Sequence, residues 1–163
     1  MIRLVLVLLV ALLMAASASA QNRLAGRWQG TYYCAQGLTG VTLTIRGSDE
    51  SAEALFHFYP VQENPNVPVG CYTMLGHVDT ATGAINLESD ESHWILRPSG
   101  YVTVNFRGRF AGGRHRIVGR VEGPACSTFT MSRVEEAPQA PRQCFLELPS
   151  VSLPSSQAWM RRR

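Results

Sequence analysis

The chain contains no lysine. Its 15 basic residues are all arginine and face 12 acidic ones, for a formal net charge of +3. Beyond Gln21 no window of helical length shows a 3.6-residue apolar period, which excludes a helical bundle. Nor does any segment repeat at a solenoid or propeller spacing. The common catalytic signatures are missing too. There is no Gly-x-Ser-x-Gly, His-Glu-x-x-His, P-loop or Gly-x-Gly-x-x-Gly. Charged residues make up only 17%, yet 45% of the chain is apolar, so composition does not point to disorder. A length of 163 residues suits one domain.

The first feature present is an export segment. Arg3 precedes an unbroken apolar run over residues 4–14, and Ala18-Ser19-Ala20 forms a small-x-small site before Gln21. This predicts a secretory signal peptide over residues 1–20, cleaved after Ala20. The run is too short for a hydrocarbon core about 30 Å thick, and no later segment is a candidate span. No cysteine follows it, so a lipid anchor is not expected. The product is predicted to be secreted or periplasmic.

That compartment governs the cysteines. Cys34, Cys71, Cys126 and Cys144 are even in number and widely spaced, unlike the short pairs of a zinc site. Two disulfides are expected.

Short runs of period two fill residues 21–133. They are 27–34 (RWQGTYYC), 41–46 (VTLTIR), 53–59, 70–79, 84–88, 93–97, 101–110, 114–122 and 126–133, each bounded by glycine, proline or Asp/Ser turns. Such spacing predicts an all-β domain, a small antiparallel barrel of about eight strands. An odd count would leave first and last strands parallel. The weakest run, 93–97, is therefore set aside, with Trp94 plugging an end. Residues 134–163 carry Pro138, Pro141, Pro149 and Pro154, which cannot serve a central strand. They read as a Pro-rich tail pinned by Cys144, with residues 144–148 able to lie on the body or add an edge strand.

Closing the sheet removes its exposed edges. If the first strand pairs antiparallel with the last, Cys34 meets Cys126 and Trp28 meets Arg133 in registers one residue apart. A bulge at Gly30 would absorb the difference. Trp28 would then be enclosed with the Arg133 guanidinium beside its ring, a contact worth about 0.5–2 kcal/mol. A Cys34–Cys126 bridge would stabilise the seam by about 4–5 kcal/mol on the loop-entropy estimate. Cys71–Cys144 follows by elimination.

The Gly26-x-Trp28 opening with Arg133 after the last strand resembles the calycin pattern of lipocalins, avidins and fatty-acid-binding proteins, barrels that hold small molecules inside. The ligand residues of avidins have no counterparts here. A second resemblance spans residues 24–133. Trp28-x-Gly30-x-Tyr32-x-Cys34-x-Gln36-Gly37, Asn64-Pro65-x-x-Pro68-x-Gly70-x-Tyr72, Trp94 with Pro98-x-Gly100-Tyr101, and Cys126-x-x-Phe129 resemble an uncharacterised domain of secreted proteobacterial proteins. That resemblance implies a compartment and a module, without an activity.

Candidate sites are few. His57, His77, His93 and His115 are isolated, and a metal pair would need two on neighbouring strands with a carboxylate such as Asp79. Neither metal nor cofactor is expected. Arg107, Arg109, Arg114, Arg116 and Arg120, with His115, cluster on a hairpin around Gly112-Gly113. Pairing Arg109 with Arg116 would oppose like charges, which an anionic partner would relieve. The plainer reading is a solvated face. Nucleic acid is not expected, given the compartment and small net charge. Aromatics such as Tyr32, Phe56, Phe58, Tyr72, Trp94, Tyr101 and Phe106 read mostly as core. The proline-braced loop over residues 60–70, with Pro60, Asn64, Pro65 and Pro68, is the best contact loop.

These features predict a monomeric binding module for a small apolar ligand in the barrel mouth, or for an envelope or protein partner at the 60–70 loop and arginine hairpin. An inhibitor of a secreted hydrolase is the alternative. A cavity of about 300 Å³ lined by Tyr and Phe would favour a ligand. A filled interior would favour protein contact, and a His–Asp or Ser–His pair would revive an enzyme.

Overall fold

The computed structural model describes residues 22–145. The predicted signal peptide and its cleavage site, Pro149, Pro154 and the terminal Arg161, Arg162 and Arg163 lie outside them. No α-helix occurs among the described residues.

Among the described residues nine strands form one antiparallel sheet. They are β1 (Gly26–Cys34), β2 (Gly37–Gly47), β3 (Ala52–Tyr59), β4 (Gly70–Val78), β5 (Ala84–Glu88), β6 (Trp94–Leu96), β7 (Asn105–Ala111), β8 (Arg116–Glu122) and β9 (Thr128–Val134). Eight of them close a barrel in the order β3-β2-β1-β9-β8-β7-β5-β4, with β4 pairing back to β3. The ninth, β6, stays outside the ring. It shares one edge of β4 with β5: Val78 faces Ile85 of β5, while Cys71 faces Leu96 of β6. A 3-10 turn at Glu91–His93 separates the two, capped by Asp90, whose carboxylate accepts from Ser92 N at 2.8 Å. The expected ring of eight is thus correct. Trp94 both joins a short ladder and packs its ring inward on Tyr72 at 4.9 Å.

The seam forms as β1 against β9, with Trp28 opposite Arg133 and Tyr32 opposite Phe129. The register is unbroken from Arg27 to Tyr32, so the bulge expected at Gly30 is not there. A side chain at Gly30 would collide with the Thr130 carbonyl, so the glycine serves close strand approach instead. The one-residue slip lies further on, where Ser127 N donates to Tyr33 O at 2.9 Å. Both disulfides form as expected, Cys34–Cys126 and Cys71–Cys144.

Alternation sends one side chain in two to the interior, and large rings fill it. Phe56 stacks on Tyr72 at 4.5 Å and Phe106 on Phe129 at 4.4 Å, while Tyr32 meets Phe56 edge-on at 5.7 Å. Gly108 and Gly119 are paired across β7 and β8. A Cβ on Gly108 would lie 2.8 Å from the Phe129 ring, while one on Gly119 would collide with the Arg107 carbonyl before it reached that ring, so the first glycine makes room for Phe129 and the second for close approach of β7.

One end is shut. Trp28 is fully buried, donates its indole N–H to Leu24 O at 2.8 Å, and carries Arg133 over its ring at 4.2 Å. Arg133 also donates to Ala25 O at 2.6 Å and to Arg23 O. Asp49 accepts from Leu24 N at 2.9 Å and from Arg23 Nε at 2.7 Å. Burial pushes its carboxyl up, but these donors outweigh that and hold it below the ordinary carboxylate range. The tail leaves β9 and reaches a 3-10 turn at Arg142–Phe145, where Cys144 is bridged to Cys71 on the barrel's outer face. As far as Phe145 it adds no edge strand.

Candidate functional site

At the opposite end the strands stop short of sealing the barrel. The β1–β2 turn, the 60–69 loop, the segment 97–104 and the 123–127 turn gather there. A cavity of about 240 Å³ opens between them, lined among others by Tyr32, Gln36, Phe58, Tyr72, Tyr101 and Val102. Segment 101–104 was expected to be strand. It is instead a loop, because β7 begins only at Asn105. That loop turns Tyr101 inward, where its ring stacks on Phe58 at 5.4 Å.

The floor of the cavity is polar but uncharged. Tyr72 Oη accepts from Val104 N at 3.2 Å and donates to Val104 O at 3.3 Å. Tyr32 Oη accepts from Gln36 Nε2 at 3.1 Å. Burial drives both phenols well above their ordinary titration range, so both keep their protons at neutral pH. Aromatic walls over neutral hydrogen-bonding groups suit an uncharged, planar group. The exposed side chain of Val102 extends this apolar character to the rim. At 240 Å³ the cavity is smaller than the about 300 Å³ of ordinary ligand pockets, and the barrel below it is packed.

The 60–70 loop borders this mouth and is braced. Asn64 Nδ2 donates to Gln36 O at 2.6 Å and to Leu38 O at 3.1 Å, and Val67 is buried in the core. Asn64 therefore holds the loop, while Pro60, Pro65 and Pro68 stay exposed.

The arginine hairpin sits at the other, closed end, so the structure does not join it to the 60–70 loop. The expected Arg109–Arg116 pair is also absent. Arg109 faces Val118, Arg116 faces Ala111, and the like-charged pair is Arg107 with Arg120. The turn at Gly112 and Gly113 places β8 two residues later than the sequence pattern implied. Arg107 is neutralised by Glu88 at 2.6 Å and Glu122 at 3.2 Å. Arg109, Arg114, Arg116 and Arg120 are exposed and make no ion pair among the described residues. Arg107, Arg109 and Arg120 line a shallow outer depression with Thr128 and Thr130, while Arg114 and Arg116 lie beyond it.

Among the described residues, one His–Asp hydrogen bond is formed. His93 Nδ1 lies 2.9 Å from Asp90 Oδ1, and the Ser92 hydroxyl donates to the same oxygen. Serine and imidazole thus both address the carboxylate, with no hydrogen bond between them. A nucleophile needs its base on its own hydroxyl, and this cluster caps a turn instead. His77 Nε2 lies 3.1 Å from Asn86 Nδ2, and the Asp79 carboxylate accepts from Ala81 N and Thr82 N. His57 faces outward between β2 and β4, on the opposite face of the sheet from its neighbour Phe58, which lines the mouth.

Compared with known proteins, the chain matches no family model, no curated protein and no solved structure. The mouth was only partly legible in advance. Tyr32, Phe58, Tyr72 and Tyr101 were visible as aromatics, but only the loop at Tyr101 brings them around one space. The signal for it was Pro98-Ser99-Gly100, which breaks the strand pattern just before Tyr101.

Proposed function

We propose that this is an exported, monomeric, calycin-like binding module, without catalytic activity, that takes a small uncharged planar group at its open mouth. The observation that carries the reading is the contrast between a barrel filled with stacked rings and an aromatic recess left open at one end only. Two disulfides fit an oxidising compartment and stiffen the frame around that recess, since Cys34 and Cys126 line it. The resemblance on Gly26, Trp28 and Arg133 supports the same reading, with the ligand moved from the barrel centre to its rim.

Native mass spectrometry of the protein recovered from the periplasm or medium tests this. A bound small mass that is lost in Val102→Arg supports it. A bare chain that captures aromatic probes no better than Val102→Arg refutes it. A second reading rests on the brace at Asn64: a rigid, proline-bearing loop beside an apolar rim is also suited to plug the active site of a secreted hydrolase. Recovery of a hydrolase complex that dissociates when Pro65 and Pro68 are replaced would favour that reading.

A further inference from the structure

Beyond β9 the chain turns back over the outer face of β2 and β3, and Cys71–Cys144 fastens it there. Strap and barrel wall do not meet throughout. Between them runs a groove of about 510 Å³, lined among others by Arg27, Thr44, Arg46 and His57 on the wall and Glu136 and Gln139 on the strap. We propose that this groove is a second binding site, for a small organic monoanion that also carries a neutral hydrogen-bonding group. It is independent of the mouth, from which it is separated by the barrel wall.

Three observations converge. The first is volume, since the groove has about twice the space of the mouth cavity and lies within the ordinary range for small-molecule sites. The second is charge. Arg27 donates to the strap at Glu135 O over 2.8 Å, which holds its guanidinium beside the groove. Arg46 is exposed and makes no ion pair among the described residues, although Glu53 is its register partner on β3. Two guanidinium groups against the one carboxylate of Glu136 leave an excess of one positive charge at the lining.

The third is His57. Its side chain lines the groove and is 4% exposed, and its Nδ1 is buried without a hydrogen-bond partner. The nearest polar neighbour in register, Thr42, already shares its hydroxyl with Tyr59 Oη at 3.2 Å. On the other side the register partner is Cys71, which is tied up in the disulfide. The protein thus places a polar ring under a strap and supplies no partner for its Nδ1, an arrangement that buried polar groups seldom keep without a purpose. Burial also keeps that ring neutral, its protonation pushed down to about 4, so it acts as a neutral hydrogen-bonding partner beside two cations.

The test is an NMR titration of the full chain with 4-hydroxybenzoate and, separately, its neutral amide. The expected result is saturable shifts at His57, Arg46 and the strap, with the amide binding at least about tenfold more weakly, the loss of one charge-assisted contact. Arg46→Gln, an exposed substitution that leaves the fold intact, is expected to weaken the acid about tenfold and the amide little. Arg120→Gln is expected to change neither. Equal binding of acid and amide, or no saturable shift, would overturn the proposal. Shifts at Tyr101 and Val102 alone would overturn it while supporting the mouth. A response that appears only after residues 155–163 are deleted would also overturn it, since the chain's own tail would then be the occupant.

Discussion

Truncating Trp28 to alanine tests the closed end of the barrel most severely. The indole is fully buried, so the substitution removes its whole apolar surface and leaves a cavity that rigid strands cannot collapse. That alone is worth about 3–5 kcal/mol. The same change strips the partner from the Arg133 guanidinium, which lies 4.2 Å above the ring, a further contribution of about 0.5–2 kcal/mol. It also frees the Leu24 carbonyl, which accepts the indole N–H at 2.8 Å. Arg133 keeps its bonds to Ala25 O and Arg23 O, so the total stays below the sum of the parts.

Urea unfolding followed by far-UV circular dichroism measures the cost, and Tm is expected to fall by about 12–20 °C. A double-mutant cycle with Arg133→Met isolates the ring–guanidinium share. A Trp28→Ala cost under about 1 kcal/mol would refute the enclosed indole. A coupling of zero in the cycle would refute the role given to Arg133.

Asn64→Ala removes two hydrogen bonds to backbone carbonyls and is expected to cost about 1–2 kcal/mol, with faster amide exchange confined to the 60–70 loop; unchanged exchange would mean the loop is held by its prolines. His57 is pushed down to about 4 by burial, below its unfolded value, so the unfolded chain binds the extra proton. Its contribution is present above about pH 6.5 and is lost as pH falls toward 4, up to about 3 kcal/mol. Urea midpoints at both pH values should converge in His57→Gln, and an equally steep loss in the variant would assign the effect elsewhere. Gly119→Val is expected to drive a side chain into the β7 backbone at Arg107 O and Gly108 as well as into the Phe129 ring and to cost at least about 1–3 kcal/mol, read as a lower Tm, whereas a stabilised variant would show that the strands have spare room there. Non-reducing peptide mapping should join Cys34 to Cys126 and Cys71 to Cys144, and a Cys34–Cys71 peptide would undo the seam.

Much of this frame could be read from residue order. Alternation in VTLTIR and its neighbours placed the strands, and turn residues placed their ends. The match between Trp28 with Arg133 and Cys34 with Cys126 located the closing seam. The position of the slip was not legible, since Gly30 looked like a bulge by composition while the strand pairing used it for close approach. The arginine hairpin failed for a related reason. A turn two residues longer than its glycines imply shifts every cross-strand partner, so Arg107 rather than Arg109 meets a like charge.

The sites were less legible because they are made by pieces that the chain keeps far apart. Tyr32, Phe58, Tyr72 and Tyr101 belong to three strands and a loop, and only closure of the barrel sets them around one space. His57 reads as an ordinary outward histidine until the strap crosses it. Side-chain alternation and turn chemistry act over a few residues, so the sequence by itself determined an all-β chain, its ring of eight and its two cross-links. Which rings fill the barrel, which end stays open and what the tail covers were decided by tertiary structure, because they depend on register and packing between segments separated by tens of residues.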